Sequence, residues 1–206
     1  MDAYQFDPVD MRVLAVLVEK QALTPDSYPL TLNALVAACN QLTSRDPIMQ
    51  LDESEVLGAL DRLSAEKLVA ERTPAGSRVA KYEHRLTYVW NIDGARLAAL
   101  AMLMLRGMQT AAEIRARSGR LYAFSATEEV ETALAALAEK YPPMVRKLAR
   151  QPGAREARWA HLLCGEPADD GCEVINLGLT GRVAALEAQV EALKTRLAEI
   201  EARLDN

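Results

Sequence analysis

Hydrophobic residues recur at intervals of three and four in three successive segments of the N-terminal half of the chain, which predicts three helices. The first helix is expected to begin at Asp7 and Pro8, since Asp suits a helix cap and Pro suits the first turn. The second is expected over residues 30–41 and the third over residues 52–67.

After the third helix the pattern changes to a period of two, which is typical of strands. Residues 68–72 and 78–86 are predicted strands, and the Pro and Gly between them favour a turn. Three helices followed by a β-hairpin form the layout of a winged helix, a variant of the helix-turn-helix. We therefore expect a first winged-helix domain over residues 6–90.

The same order of elements then recurs. Helical spacing covers residues 95–106, 111–117 and 127–140, and strand patterns follow at 144–150 and 155–163. A second winged-helix domain is expected over residues 93–163. The predicted fold class is mainly α with small β-hairpin wings, α+β, as two tandem winged-helix domains.

The repeat is also visible residue by residue. In the third helices, Val56, Leu60 and Leu63 correspond to Val130, Leu134 and Leu137 at a constant offset. In the last strands, the matched pairs are Arg78 and Arg155, Ala80 and Ala157, Tyr82 and Trp159, His84 and His161, and Leu86 and Leu163. The strand matches occupy every second position and therefore share one face. An internal duplication explains both sets.

The C-terminal part predicts a linker over residues 165–175 and a coiled-coil helix over residues 176–204. Its seam of apolar residues is Val183, Leu186, Val190, Leu193, Leu197, Ile200 and Leu204. Val and Leu at alternating seam positions favour a parallel homodimer. A helix of about three heptads that folds back onto its own domain is the alternative.

Composition points to a helix-rich protein of the cytoplasm without a membrane segment. The formal net charge is −5, which argues against a uniformly basic surface. The longest apolar run, residues 97–105, is much shorter than the roughly 20 residues of a membrane span. The N-terminus has no signal-peptide pattern, and three cysteines do not form a disulfide framework.

Four segments closely resemble the YceH family of bacterial proteins: YPLTLNALVAACNQ at 28–41, GSRVAKYEHR at 76–85, LRGMQT at 105–110 and REARWAHL at 155–162. The resemblance extends over nearly the whole chain up to the linker. It implies a tandem winged-helix fold in a cytoplasmic bacterial protein and implies no activity. The family pattern has Lys where this chain has Leu42, so a phosphate contact by that loop is not expected.

Candidate catalytic and metal-ligating residues are few. His84 and His161 could act as ligands or as acid and base, but their shared strand face favours packed, hydrogen-bonded core histidines. His161, Cys164 and Cys172 lack the second ligand pair of a structural zinc site. Because phosphate-binding loops and nucleophile–base arrangements are also missing, the sequence predicts a non-enzyme without metal or cofactor.

Charge separates the third helices from the hairpins. Both third helices present acidic residues where a DNA-reading helix would meet phosphates. The basic hairpin residues are Arg72, Arg78, Lys81 and Arg85 in the first copy and Arg146, Lys147, Arg150, Arg155 and Arg158 in the second. These nine residues are the candidate nucleic-acid contacts. The alternative is a solvated hairpin in which Arg78 and Arg155 pair with acidic residues of the third helix.

Two kinds of partner remain open from the sequence alone. One is DNA, held by its backbone phosphates through the wings. The other is a protein, since winged helices also serve as interaction scaffolds and a fold does not fix a function. The acidic third helices and the acidic balance favour the protein partner, and the basic second hairpin favours DNA.

Overall fold

The computed structural model describes residues 4–73, 76 and 79–167. The predicted coiled-coil seam from Val183 to Leu204 and most of the predicted linker lie outside these residues.

The first half contains three helices and a small antiparallel sheet. Its helices are α1 (Pro8–Leu23), α2 (Leu32–Cys39) and α3 (Glu53–Ala65), and its strands are β1 (Leu30–Thr31), β2 (Val69–Arg72) and β3 (Lys81–His84). A short 3₁₀ turn, Pro25–Ser27, follows α1, and a four-residue helix, α4 (Leu86–Val89), follows β3. The sheet order is β1-β3-β2. We call α1 through β3 the first repeat.

The second half has the same order of elements. Its helices are α5 (Gly94–Arg106), α6 (Ala111–Ser118) and α7 (Thr127–Ala138), and its strands are β4 (Val145–Lys147) and β5 (Trp159–His161). We call α5 through β5 the second repeat. The described part of the chain is therefore α+β, with helices and two small antiparallel sheets, as the fold class predicted.

The six helices predicted between residues 8 and 140 are confirmed, but several boundaries were wrong. Residues 30 and 31 belong to β1 rather than to the second helix, because Thr31 accepts a hydrogen bond from the Ala34 amide and caps α2. The strand predicted over 78–86 is shorter, and its last residue begins α4 instead. The strands predicted over 144–150 and 155–163 contract to three residues each. The start of α1 is confirmed, since the Asp7 carboxylate accepts from the Val9 amide at 2.7 Å.

The hydrogen bonds show the two repeats to be equivalent. Val69 pairs with His84 in the first sheet, and Val145 pairs with His161 in the second. Before α2, Leu30 pairs with Tyr82. The corresponding partners before α6 are Gln109 and Trp159, whose amides and carbonyls bond in both directions at 2.7 and 3.1 Å. Two of the matches predicted from the sequence, Tyr82 with Trp159 and His84 with His161, therefore hold in the backbone register.

Helix α1 is buried on every side rather than along one stripe. It packs against α2 and α3 of its own repeat and against α5 of the other, so every residue from Asp10 to Glu19 is buried. Residues 98–105 of α5 are buried in the same way. A helix that contacts neighbours on every side has no solvent face, which explains the continuous apolar runs in both helices. The two repeats consequently share one hydrophobic core.

Candidate nucleic-acid interface

The tip of the second hairpin carries exposed arginine side chains. A turn spans residues 151–154, where the Ala154 amide donates to the Gln151 carbonyl at 3.0 Å. Gly153 has φ +82°, a conformation that favours glycine. Arg150 and Arg155 flank this turn, so the backbone brings both of them to the tip.

The arginines at this tip are not neutralised by nearby carboxylates. Arg150, Arg155 and Arg158 are exposed, and within the described residues none of them forms an ion pair. Arg158 lies on the returning chain, where its carbonyl accepts from the Leu148 amide at 2.8 Å. We call these three arginines the wing tip.

The base of the same hairpin is electrically compensated. Arg146 pairs with Glu166 at 2.7 Å. Lys147 pairs with Glu131 of α7 at 2.8 Å and lies 5.3 Å from the Trp159 ring centroid. The alternative reading expected Arg155 to pair with the third helix, but Lys147 makes that contact. The reason is position, since Lys147 is in β4 beside α7 whereas Arg155 follows the turn.

Within its described residues, the first hairpin has fewer exposed basic side chains without an ion pair than the second. Arg72 pairs with Glu83 of the neighbouring strand at 2.8 Å. Lys81 is half-buried, and Arg85 is exposed at the start of α4. Arg78 lies outside the described residues. Within the described residues, four of the nine candidate contacts are both exposed and without an ion pair: the three arginines of the wing tip and Arg85.

The third helix of the first repeat, α3, presents acidic side chains to solvent. Glu53, Glu55 and Asp61 of α3 are exposed. The one arginine on this face, Arg62, donates to the buried Asp10 carboxylate at 2.7 Å, and this bond raises the pKa of Arg62. The cation is thus tied to the protein rather than presented to a ligand.

The third helix of the second repeat is similarly acidic. Glu128 is exposed at the first turn of α7. The Glu129 carboxylate accepts from the Ser125 amide at 2.8 Å, from the Ser125 hydroxyl and from the Tyr122 hydroxyl, and these bonds lower the pKa of Glu129. A carboxylate held ionised at a helix N-terminus would repel a phosphate brought there.

The two histidines lie in packed surroundings, as predicted. His84 is 7% exposed, and its Nε2 lies 2.7 Å from the amide oxygen of Gln21. His161 is half-buried, and its Nδ1 atom is buried without a hydrogen-bond partner among the described residues. The hydrogen bond predicted for both rings is therefore present for His84 alone. Burial lowers the pKa of each histidine to about 4.

These histidines predict a loss of stability on acidification. Because the folded pKa lies below the unfolded value of about 6.5, the stabilisation is complete above that pH and is lost as pH falls from about 6.5 toward 4. At pH of about 5 each histidine should cost about 2 kcal/mol of unfolding free energy. Urea unfolding at several pH values measures the change. The double variant H84Q/H161Q should flatten the profile, and an unchanged pH slope in it would contradict the assignment.

Sequence reasoning missed a set of buried charged residues around α1. Arg45, in the loop after α2, donates to both carboxylate oxygens of Glu19, at 3.0 and 2.6 Å. Arg12 is 1% exposed and donates to the carbonyls of Cys39 and Pro47. The only signal in the sequence was a charged residue at each end of an otherwise apolar stretch of α1. These residues hold the loop after α2 against the core.

Some candidate chemistries can be checked against the described part of the chain. Among those residues, no cluster of three or more His, Cys, Asp or Glu could hold a metal ion. No helix there is long and apolar enough to span a membrane. Cys39 is buried, and burial raises the pKa of its thiol to about 12. Leu42, the position at which the family pattern has Lys, is 72% exposed.

The chain is thus an α+β protein of two helix-and-hairpin repeats with a basic tip on the second hairpin. Residues 6–154 match the family model described as a protein of unknown function, DUF480, and the chain belongs to that family. This membership agrees with the resemblance to the YceH family of bacterial proteins.

The relatives are UPF0502 proteins of bacteria. The one from Chromobacterium violaceum is 69% identical over 208 residues, covering 100% of this chain and 94% of the relative. The one from Herminiimonas arsenicoxydans is 51% identical, covering 97% of this chain and 87% of the relative. The one from Janthinobacterium is 50% identical, covering 96% and 88% respectively.

Proposed function

We propose that this chain is a non-enzymatic, tandem winged-helix protein that binds nucleic-acid backbone through the wing tip. The observation that carries the proposal is the group of Arg150, Arg155 and Arg158, exposed and without ion-pair partners in the described part of the chain. Backbone contacts neutralise phosphates without reading bases, so the expected binding is independent of sequence.

The arrangement of each repeat supports the winged-helix assignment. Three helices precede a hairpin in both, and the residue before the second helix pairs with the last strand of that hairpin. The acidic faces of α3 and α7 argue against insertion of these helices into a major groove. Contact between the wing and the phosphates beside the groove is compatible with the acidic faces of α3 and α7 and with the basic wing tip.

A fluorescence anisotropy titration of a random-sequence duplex tests this function. We expect binding that weakens by about 40-fold between about 50 and 200 mM salt, the slope of three neutralised phosphates. The full chain is used, and a second random sequence should bind equally well. Absence of binding even at low salt would contradict the proposal.

A protein partner is the second candidate function. The observation favouring it is the acidic face of α3, where Glu53, Glu55 and Asp61 are exposed around the 42% exposed Leu57. A surface of one charge sign selects a partner surface of the opposite sign, so a basic protein surface is the expected partner. If the duplex does not bind at low salt, cross-linking through a cysteine placed at Leu57 tests this alternative.

We further propose that residues 176–204 make the protein a parallel homodimer. The strict seam from Val183 to Leu204 supports this proposal from the sequence alone. Light scattering should give twice the chain mass for the wild type and the single-chain mass for L193D. The variant T195D, changed on the opposite face of the heptad, should remain dimeric. A monomeric wild type would refute the dimer.

A further inference from the structure

A cleft of about 290 Å³ lies where the two repeats pack together. The first repeat contributes Glu19 and Leu23 of α1 and Ser44 of the following loop. The second repeat contributes the C-terminal ends of α5 and α6. A backbone hydrogen bond of 2.9 Å, from the Asp46 amide to the Leu105 carbonyl, fixes the loop beside the cleft. Its volume is close to the lower end of the range of small-molecule sites.

Positive charge converges on this cleft from the second repeat. Arg106, Arg117 and Arg120 all line it. Arg117 is oriented by bonds to the side-chain oxygens of Gln109 at 3.1 Å and Glu113 at 3.3 Å. Within the described residues, Arg106 and Arg120 have no ion-pair partner. Two of the three cations therefore lack an ion pair within the described residues.

Arg106 is the least satisfied of these cations. Its Nε atom is buried and has no hydrogen-bond partner among the described residues. Burial lowers the pKa of Arg106, and the neighbouring charges of Arg117 and Arg45 lower it further. Burying a donor without a partner is unfavourable, so an acceptor that entered the cleft would gain from this guanidinium.

The one carboxylate in the lining does not supply that acceptor. Both oxygens of Glu19 are bonded to Arg45, at 3.0 and 2.6 Å, and Lys20 lies 3.4 Å from one of them. The Glu19–Arg45 pair is thus internally compensated. It leaves Arg106 and Arg120 to act on whatever occupies the cleft.

Apart from Ser44 and Ser118, the remaining lining is apolar and comes from both repeats: Leu23, Met102, Leu105 and Leu121. Apolar walls with a few convergent polar groups are characteristic of sites for small organic ligands. Arginine favours oxyanions such as phosphate and carboxylate, which accept two parallel hydrogen bonds. We propose that the cleft binds a small organic anion, with its phosphate or carboxylate at Arg106 and Arg120 and its apolar body against the leucines and Met102.

Calorimetric titration of the full chain with phenyl phosphate at low salt tests the proposal. We expect saturable binding at one site per chain. Benzoate distinguishes a carboxylate ligand from a phosphate. Inorganic phosphate, which lacks the apolar body, should bind at least tenfold more weakly than phenyl phosphate, and neutral benzyl alcohol should not bind. Failure of both phenyl phosphate and benzoate to bind would overturn the proposal.

Variants locate the binding. R106Q and R120Q should each weaken phenyl phosphate binding at least tenfold, while R106K should retain part of it. Arg120 is exposed, so R120Q keeps the test valid if R106Q does not fold. The matched control is R115Q, on α6, because Arg115 is an exposed arginine that bonds to the Ser125 carbonyl and does not line the cleft. Equal binding by R106Q, R120Q and the wild type would overturn the site.

A further experiment distinguishes nucleic acid from a small organic anion as the occupant of the cleft. A duplex that competes with phenyl phosphate, together with equal loss of duplex binding in R106Q, would place the cleft within a nucleic-acid surface and overturn the small-ligand proposal. Duplex binding that survives in R106Q would support a separate small-molecule site. The outcome is independent of the wing tip, since none of its three arginines lines the cleft.

Discussion

The variant R45M should lose about 3–5 kcal/mol of unfolding free energy, because it removes one partner of a buried ion pair. The Arg45 side chain is fully buried and the Glu19 side chain is 10% exposed. Arg45 also donates to the Ala38 carbonyl and to the Gln41 side chain. Without it, the buried Glu19 carboxylate keeps one ion pair within the described residues, the 3.4 Å contact with Lys20. Urea unfolding at neutral pH measures the loss.

An exposed pair provides the matched control for this variant. Arg72 is paired with Glu83 at a similar distance, but its side chain is 65% exposed. R72M should therefore change the unfolding free energy by no more than about 1 kcal/mol. The double variant E19Q/R45M removes both charges and should be more stable than R45M alone. A loss below about 1 kcal/mol in R45M would show that the pair is not stabilising the loop after α2.

The helices that face solvent on one side were readable from the sequence. In α3 and α7, apolar residues recur at helical spacing because only one face is covered, and Val56, Leu60, Val130 and Leu134 are at most 1% exposed. The period of two predicted for the last strand of the first hairpin is also found, since the buried Tyr82 and His84 of β3 alternate with half-buried positions.

The contacts between the two repeats could not be predicted from the sequence. Helix α1 is covered by α5, which lies about 80 residues away in sequence, so no local pattern marks its polar positions as buried. Arg45 and Glu19 are likewise 26 residues apart, and neither belongs to a periodic set. Pairing of this kind depends on the tertiary fold. The cleft with Arg106 was missed for the same reason, since it forms only where the repeats meet.

The sequence shows which hairpin residues are basic, but it does not show which of them form ion pairs in the folded protein. All nine basic hairpin residues were visible as Lys and Arg, yet Arg72, Arg146 and Lys147 have carboxylate partners. Those partners come from a neighbouring strand, from Glu166 after the second repeat and from α7 respectively. Arg150, Arg155 and Arg158 are exposed and have no ion pair within the described residues, so the proposed contact is tested on these three.

The triple variant R150Q/R155Q/R158Q should weaken binding to every duplex alike, on the order of 100-fold at about 0.1 M salt. Its salt dependence should also flatten, by a slope of about 2.7 for three lost phosphate contacts. Because the three side chains are exposed, the unfolding free energy should stay within about 0.5 kcal/mol of the wild type for each substitution. Anisotropy titrations across a series of salt concentrations give both quantities.

The first hairpin supplies a control with the same change in net charge. The variant R72Q/K81Q/R85Q also removes three positive charges, so any effect of overall repulsion on DNA binding is equal in the two triples. Its salt slope should fall by about 1 or less, because Arg72 is already paired with Glu83 and Lys81 is half-buried. Equal losses in the two triples would indicate attraction by net charge alone. A wild-type slope in the wing-tip triple would exclude this hairpin as the contact.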